Sequence, residues 1–589
     1  MNEISLSLAE ATAEMTAPGQ MFEIEQAVVN GVEMSVWKHA PTNLRQILDM
    51  SLNHANVDFL VYEHQRFTFN EHYRIAATLA HRFQAMGVTK GDRVAIAARN
   101  LPQWVSAFWG AMITGAVVVP LNAWWTSDEL AYGLSDSGST VVVVDEERLE
   151  RLRPLLDDLD FLTTVIVISE DPSRPPELGV PHDRVSIVGF DEALGDVDPA
   201  ATPPDVEIGT DDDAVMFYTS GTTGRPKGAV GSHRNVITNL MSLFFIGQRA
   251  TLRFGVGNLD DEGKSIPNAN LLNIPLFHAT GCLAVMVVNT AAGGKLVMTH
   301  HFDAGKALAL IAAERLTSIG GVPTIVMQIL DHPDFKEFDT STVRSVSYGG
   351  APAPPELVKR IRAAFPKAQP GNGYGLTETS AAVALNTGPD YVAKPDSCGP
   401  AVPVCEVAIV PEDFEGDEPA PDRAMGPNAV GELWIKGPNV VRGYWHKPEA
   451  TAESFTKGWL HTGDVGRIDD EGFIYIVDRA KDMIIRGGEN VYSVIVEAAI
   501  FEHPDVADCA VVGLPHTTMG EEVAAVIVLR PGRVLEAEEI NRHVARHLAR
   551  FEVPTRIFFR ADPLPRNPQG KVLKRELRAS LVSEIERSA

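Results

Sequence analysis

Cysteine is scarce in this chain. Its 589 residues hold four, Cys282, Cys398, Cys405 and Cys509, set far apart and without any C-x-x-C pair. That argues against a disulfide framework and against a structural zinc site built on paired thiolates. A reducing compartment is the simplest setting. Long apolar runs are also missing: the longest, such as residues 116–121, are far too short to span a bilayer. No integral membrane segment is therefore expected. The opening stretch MNEISLSLAEATAEM has early acids, no basic segment and no apolar core, so no secretory signal is expected and the protein is placed in the cytoplasm. Basic side chains are outnumbered, 51 against 78 acidic, for a formal net charge of −27. Such a surface repels a phosphate backbone, so nucleic acid is not an expected partner. The excess acid favours solubility.

What is present is ordinary for a globular protein, with 45% apolar and 22% charged residues. The length exceeds what one hydrophobic core supports, so several domains are expected. Residues 1–40 pattern weakly and read as an N-terminal extension packed on the main body. From Arg93 the alternation is clear: strands at 93–98, 116–120 and 140–145, with helices at 102–114 and 127–135 between them. That order signals a parallel sheet wrapped by helices. After a Pro- and Asp-rich connector at 170–212, a strand at 214–218 leads through a Gly-rich loop to a helix beginning near Asn235. Strands at 271–275, 294–298, 318–322 and 345–348 follow. Residues 256–270 and 411–429 read as polar surface loops, with short strands after them ending at 473–477. A compact unit starts at Lys481, with strands at 507–512 and 523–529. The organisation is thus an extension (1–40), a large α/β domain (41–480) and a small terminal domain (481–589).

The most informative segment is Tyr218-Thr-Ser-Gly-Thr-Thr-Gly-Arg-Pro-Lys-Gly228. It sets three glycines, four hydroxyls (Thr219, Ser220, Thr222, Thr223) and Lys227 directly after a buried strand. Glycines such as Gly221 and Gly224 let the backbone turn its N–H groups inward, and hydroxyls with an ammonium complete a nest for phosphate oxygens. It is not the G-x-x-x-x-G-K-[ST] loop, since no Gly-Lys-Ser/Thr occurs at this site.

This loop resembles the phosphate-loop signature of the adenylate-forming superfamily, which includes acyl-CoA synthetases, firefly-type luciferases and peptide-synthetase adenylation domains. Five further segments resemble its motifs in order. They are Gly373-Tyr-Gly-Leu-Thr-Glu378 (adenine and metal), Leu460-His-Thr-Gly-Asp464 (ribose), Asp478-Arg-Ala-Lys-Asp482 (hinge), Arg486-Gly-Gly-Glu-Asn490 (thiol channel) and Asn567-Pro-Gln-Gly-Lys571 (terminal lysine). The resemblance spans roughly residues 45–580. It implies a large α/β region of layered sheets with a small β-barrel, followed by a mobile α+β lid. It also implies ATP, Mg2+ and CoA as co-reactants of a carboxylic acid.

The residue roles follow from the resemblance and from the chemistry. A carboxylate and the α-phosphate of ATP repel each other, so cations and aligned donors must offset that charge. Lys571 is the cation expected to reach both. Glu378 is the expected Mg2+ ligand, with Thr219 a second contact. Asp464 is expected on the ribose hydroxyls and Arg479 on ribose or phosphate. Tyr374 offers adenine a flat face, within a segment that includes Gly373, Gly375 and Thr377. Asn372 departs from the glutamine or acid associated with its position. Gly349, Gly350 and Ala351 should floor the site between adenine and acyl group. Pro275-Leu-Phe-His278-Ala-Thr280-Gly281 resembles the segment whose histidine lines the acyl pocket. The acid that amino-acid-activating relatives place there is missing, which argues against an amino-acid substrate. Lys481 is the hinge, and Arg486, Gly487, Gly488 and Glu489 belong to the thiol channel. The apolar stripe Met241, Leu243, Phe244, Phe245 and Ile246 suits either plain core or an acyl tunnel.

The expected reaction is activation of a medium- or long-chain fatty acid, or of a bulky aryl-alkanoic acid, to acyl-AMP and then to its CoA thioester. Transfer to a carrier-protein thiol, a luciferase-like oxygenation and an inactive nucleotide-binding module remain alternatives. The oligomeric state, a homodimer included, is left open.

Overall fold

A computed structural model describes residues 6–219, 225–255, 257, 264, 266–350, 356–411, 414, 416–419, 424–487, 489–567 and 570–588. Two large sheets organise its first two-thirds. In the first, seven strands run in the order Lys227–Ser232, Asp213–Thr219, Val117–Pro120, Arg93–Ala97, Val141–Asp145, Thr164–Ile168 and Ser186–Gly189. All neighbours are parallel except the hairpin at the Lys227 edge. Runs such as VVVVD and TVIVI explain this sheet: every residue in both is buried, as a parallel sheet covered on both faces requires.

The second sheet has eight strands, ordered Ala384–Thr387, Gln369–Tyr374, Ser345–Gly349, Ser318–Gly321, Ala269–Leu272, Lys295–Met298, Asp58–Tyr62 and Gln65–Thr68. The helix Pro102–Met112 (PQWVSAFWGAM) lies between the two sheets, apolar all round and buried at every position but Gln103. A helix with no polar face belongs inside a core. Side chains of both sheets join it in one hydrophobic cluster.

The loop after Thr219 returns as an antiparallel strand, Lys227–Ser232, that was not expected, and the helix expected near Asn235 begins at His233 and runs to Phe254. Ser232 caps that helix by accepting the Asn235 N–H, and Gly255 ends it at φ +62°. The connector at 170–212 contains an edge strand, Ser186–Gly189, and a short helix, Phe190–Leu194. Residues 6–40 of the weakly patterned extension fold into a helix, Leu8–Met15, and a hairpin of Ile24–Val29 with Val32–Trp37. This extension packs on the helix His233–Phe254: Phe22, Trp37 and Phe245 form an aromatic cluster with centroids 5.4–5.7 Å apart. Met241, Phe245 and Ile246 are accordingly core residues, and the stripe they belong to does not line the main cleft.

A third, antiparallel sheet of six strands follows, including Gly431–Lys436, Trp459–Ile468 and Phe473–Arg479. It stands where the small barrel was expected. Among the described residues its hydrogen-bonded order is an open path from Gly399–Pro400 to Glu406–Val410. The last sheet begins at Ile484, five residues beyond the end of the third at Arg479. It pairs Val506–His516 with Gly520–Leu529, and Arg556–Arg560 lies parallel to the latter. The helices Ser493–Phe501 and Ala537–Val544 pack with this sheet around a core of their own. The mixed α/β body with a terminal α+β unit is the expected fold class. Among the described residues no helix is long and apolar enough to cross a membrane.

Candidate active site

A cleft of about 1190 Å³ opens at the ends of strands from the first three sheets and is closed on its remaining side by the terminal unit. Thr219, Lys227, His278, Thr280, Gly349, Gly350, Gly375, Thr377, Glu378, Arg479, Lys481 and Lys571 all line it. Residues separated by more than 300 positions thus meet at one place. Ser220, Gly221, Thr222, Thr223, Gly224, Ala351 and Gly488 lie outside the described residues. Eight Lys and Arg side chains against six Asp and Glu line the cleft, the reverse of the whole-chain balance. Local charge therefore favours polyanions where the surface at large opposes them.

The phosphate-loop hairpin brings Thr219 and Lys227 into direct register. A network that has no local sequence signal braces its base. Tyr218 donates to one oxygen of Asp136 at 2.8 Å, Lys447 pairs with the other at 2.8 Å, and Tyr132 donates to the Pro226 carbonyl at 2.9 Å. Tyr444 is a second unforeseen partner. Its hydroxyl donates to Glu378 Oε1 at 2.8 Å, and Lys227 Nζ lies 4.6 Å from its ring centroid. The Trp445 N–H donates to the Gly228 carbonyl at 2.7 Å, which stitches this segment to the loop's return strand. One tyrosine thus positions the carboxylate and the ammonium together.

Gly375 leads into the turn that carries Glu378. A Cβ there would lie 1.5 Å from the Ala381 carbonyl oxygen, so no other residue fits. Asp464 is buried, accepting from Tyr374 Oη at 2.7 Å and pairing with Arg479 Nε at 2.8 Å. Arg479 itself reaches the cleft, while Asp464, Asn372, Gly373 and Tyr374 stand behind the lining. Burial, and then the Asp464 carboxylate, raise the Tyr374 phenol well above its ordinary pKa, so it stays a neutral donor.

Lys571 closes the cleft from the terminal unit. Its backbone N–H donates to Asn567 Oδ1 at 2.9 Å, and the Asn567 N–H donates to the Lys571 carbonyl at 2.8 Å. Gly570, at φ +79°, lets this loop press on the second sheet: a Cβ there would lie 2.7 Å from Val322 Cγ2. Burial pulls the Lys571 pKa down to about 8; Arg479 and Lys481 lower it further, while Asp482 and Asp464 oppose them. Arg486, Gly487 and Glu489 do not line the cleft. Arg486 donates instead to the Phe551 carbonyl at 2.7 Å, within the terminal unit.

Phe217, Ile274, Phe277, Val322, Ile325 and Met327 give the cleft apolar walls. His278 stands among them, its ring 4.6 Å from that of Phe277, and burial lowers its pKa to about 3. It is a neutral group at physiological pH. The segment Thr280–Met286 that follows is π-helical, an irregularity common beside functional sites.

The family described as AMP-binding enzyme matches residues 51–445, and its C-terminal domain family matches residues 495–571. The chain belongs to the AMP-binding enzyme family. Within the adenylate-forming superfamily this AMP-binding enzyme falls in the acyl-CoA synthetase branch. It is 36% identical to the long-chain-fatty-acid–CoA ligase FadD13 of Mycobacterium tuberculosis over 513 residues, 87% of this chain and 93% of that one. Identity to a feruloyl-CoA synthase of Amycolatopsis is 34% over 515 residues, with the same coverage. The ATP-bound structure of MatB from Rhodopseudomonas palustris superposes with a TM-score of 0.77 at 28% identity, covering 91% of this AMP-binding enzyme and 98% of MatB.

Proposed function

We propose that this AMP-forming acyl-CoA ligase activates an apolar carboxylic acid, a medium- or long-chain fatty acid or a bulky aryl-alkanoic acid, and passes it to CoA. The carrying observation is the convergence of Lys227, Glu378, Arg479 and Lys571 on a cleft that also has apolar walls and a neutral His278. Residue 279, next to that histidine, is alanine, so no carboxylate stands there for a substrate ammonium.

In the first half-reaction the carboxylate oxygen attacks the α-phosphorus of ATP and pyrophosphate departs. Lys571 faces the carboxylate and α-phosphate, and Lys227 faces the outgoing phosphates. Arg479 reaches toward the ribose, with Asp464 and Tyr374 behind it as the pair that orients it. Glu378 and Thr219 are hard oxygen donors on one wall, a set that fits Mg2+, and they would hold it. When bound, Mg2+ supplies positive charge against the phosphate oxygens. In the second half-reaction the CoA thiol displaces AMP from the acyl carbon. The CoA ligase and synthase named above support CoA as the acceptor.

The arrangement described presents Lys571 to the cleft and turns Arg486, Gly487 and Glu489 away, which suits the first half-reaction. Residues 41–480 act as the adenylation unit and 481–589 as a lid that turns about Lys481 to bring Arg486, Gly487, Gly488 and Glu489 to the thiol path.

A coupled AMP-release assay across a carboxylate panel, with and without CoA, tests the substrate class. Apolar acids of about six or more carbons should exceed acetate by about tenfold or more in kcat/KM, since each buried methylene contributes about 0.8 kcal/mol. A preference for acetate or for an amino acid would refute it.

A further inference from the structure

Two groups of His and carboxylate side chains among the described residues bring three ligand atoms within 4.8 Å of one another. One lies in the body and joins Asp145, Glu170 and His300. Asp145 has no lone pair to spare there. Its oxygens accept the backbone N–H groups of Arg99 and Arg148 at 3.0 and 3.1 Å, and Arg148 Nη1 reaches both at 2.9 Å. A fully buried arginine beside it also repels a cation.

The other group is open, and it lies on the terminal unit. Glu502 caps the C-terminal end of the helix Ser493–Phe501. His543 lies in the last turn of the helix Ala537–Val544, and His547 follows four residues later. The turn continues past Val544, whose carbonyl accepts the N–H groups of His547 and Leu548. A four-residue spacing puts both imidazoles on one face. Their centroids are 5.2 Å apart, and His547 Nε2 lies 3.7 Å from Glu502 Oε2.

We propose that Glu502, His543 and His547 form a binding site for a borderline-soft divalent cation of the Zn2+ class, with solvent completing a tetrahedral set. The ligand set is prepared in two respects. His543 Nε2 lies 3.1 Å from the Ala499 carbonyl, which can only accept, so that nitrogen carries the proton and Nδ1 keeps its lone pair. Metal-bound histidines use the same outer hydrogen bond to fix tautomer and ring orientation. Glu502 supplies the anionic donor. Zinc bonds of about 2.0–2.1 Å separate tetrahedral ligands by about 3.4 Å, so the group need close by at most about 1.4 Å. Glu502 and His547 are 50% and 43% exposed and can move that far without disturbing the core. A bound cation ties the end of Ser493–Phe501 to Ala537–Val544, and Phe501 is a cleft-lining residue.

The test uses the full-length, tag-free protein without ATP, titrated with zinc chloride by calorimetry and followed by thermal unfolding. The unmodified protein should show a saturable site and a zinc-dependent rise in Tm. In His547→Ala and in Glu502→Gln the affinity of that site should fall by about tenfold or more, and the Tm rise should disappear. Zinc-free adenylation should be unchanged in both variants, which also shows that they fold, because neither residue lines the cleft. Mg2+ should not compete, since hard cations prefer all-oxygen sites. Absence of saturable zinc binding, equal affinity in the protein and both variants, or displacement by equimolar Mg2+ would each overturn the assignment.

Discussion

Replacing Lys571 with alanine should slow acyl-adenylate formation about 1000-fold, about 4 kcal/mol of barrier, while leaving thioester formation from pre-made acyl-AMP near its original rate. Lys571 is a cation that the terminal unit delivers to the cleft, on a loop held by Asn567 and pressed against Val322 through Gly570. Two anions must approach each other in adenylation, and a partly desolvated ammonium between them acts far more strongly than it would in water. Thioester formation starts from an acyl-AMP whose carbonyl is already activated, so the same charge is dispensable. The pH profile carries the signature. The free-enzyme pKa is down at about 8, and only the protonated form neutralises charge. Adenylation kcat/KM should therefore be full below pH 8 and fall as pH rises through it. Lys571→Ala should abolish that limb. Single-turnover measurements of each half-reaction check both expectations.

Lys481→Pro should do the opposite: adenylation persists and thioester formation collapses, by about 100-fold or more if the lid cannot turn. Lys481 sits in the turn between the third and fourth sheets, held by the N–H groups of Asp482 and Met483 donating to the Arg479 carbonyl. Proline fixes φ near −65° and restricts Ala480 before it. The orientation described keeps Lys571 on the cleft and Arg486 on Phe551, so a frozen hinge preserves the first half-reaction and blocks the second. Buried contacts at the join reinforce that orientation. Asp478, at the end of the third sheet, accepts from Ser493 Oγ at 2.8 Å, and Lys574 pairs with Glu497 at 2.7 Å just behind it. Equal slowing of both halves by Lys481→Pro would count against a turning lid.

The parts of the fold that were legible in the sequence are those whose signal is local. Runs such as VVVVD allow nothing but a buried strand, and the order of the six motifs places the cleft. Lys227–Ser232 was missed because KGAVGS is poor in β-branched residues; its pairing with the strand before the loop, not its own composition, makes it a strand. The stripe at Met241–Ile246 could not be assigned to core or tunnel because its cover is the N-terminal hairpin, some 200 residues away in sequence, where Trp37 donates to Ser242. Tyr444 and Asp136 were invisible for the same reason. Each acts on a residue 66 or more positions distant, and neither belongs to a motif. The zinc-class group was equally hidden, since Glu502 and His543 meet only through the packing of two helices.

The central claim is that the acid is adenylated before any thiol is engaged, and the most direct measurement is exchange of labelled pyrophosphate into ATP in the absence of CoA. With Mg2+ and an apolar acid of about six or more carbons present, exchange should proceed. It should stop when either is omitted and be lost in Lys571→Ala. Exchange that strictly required CoA, or that ran without any carboxylic acid, would contradict an adenylate formed in the cleft between Lys227, Glu378 and Lys571.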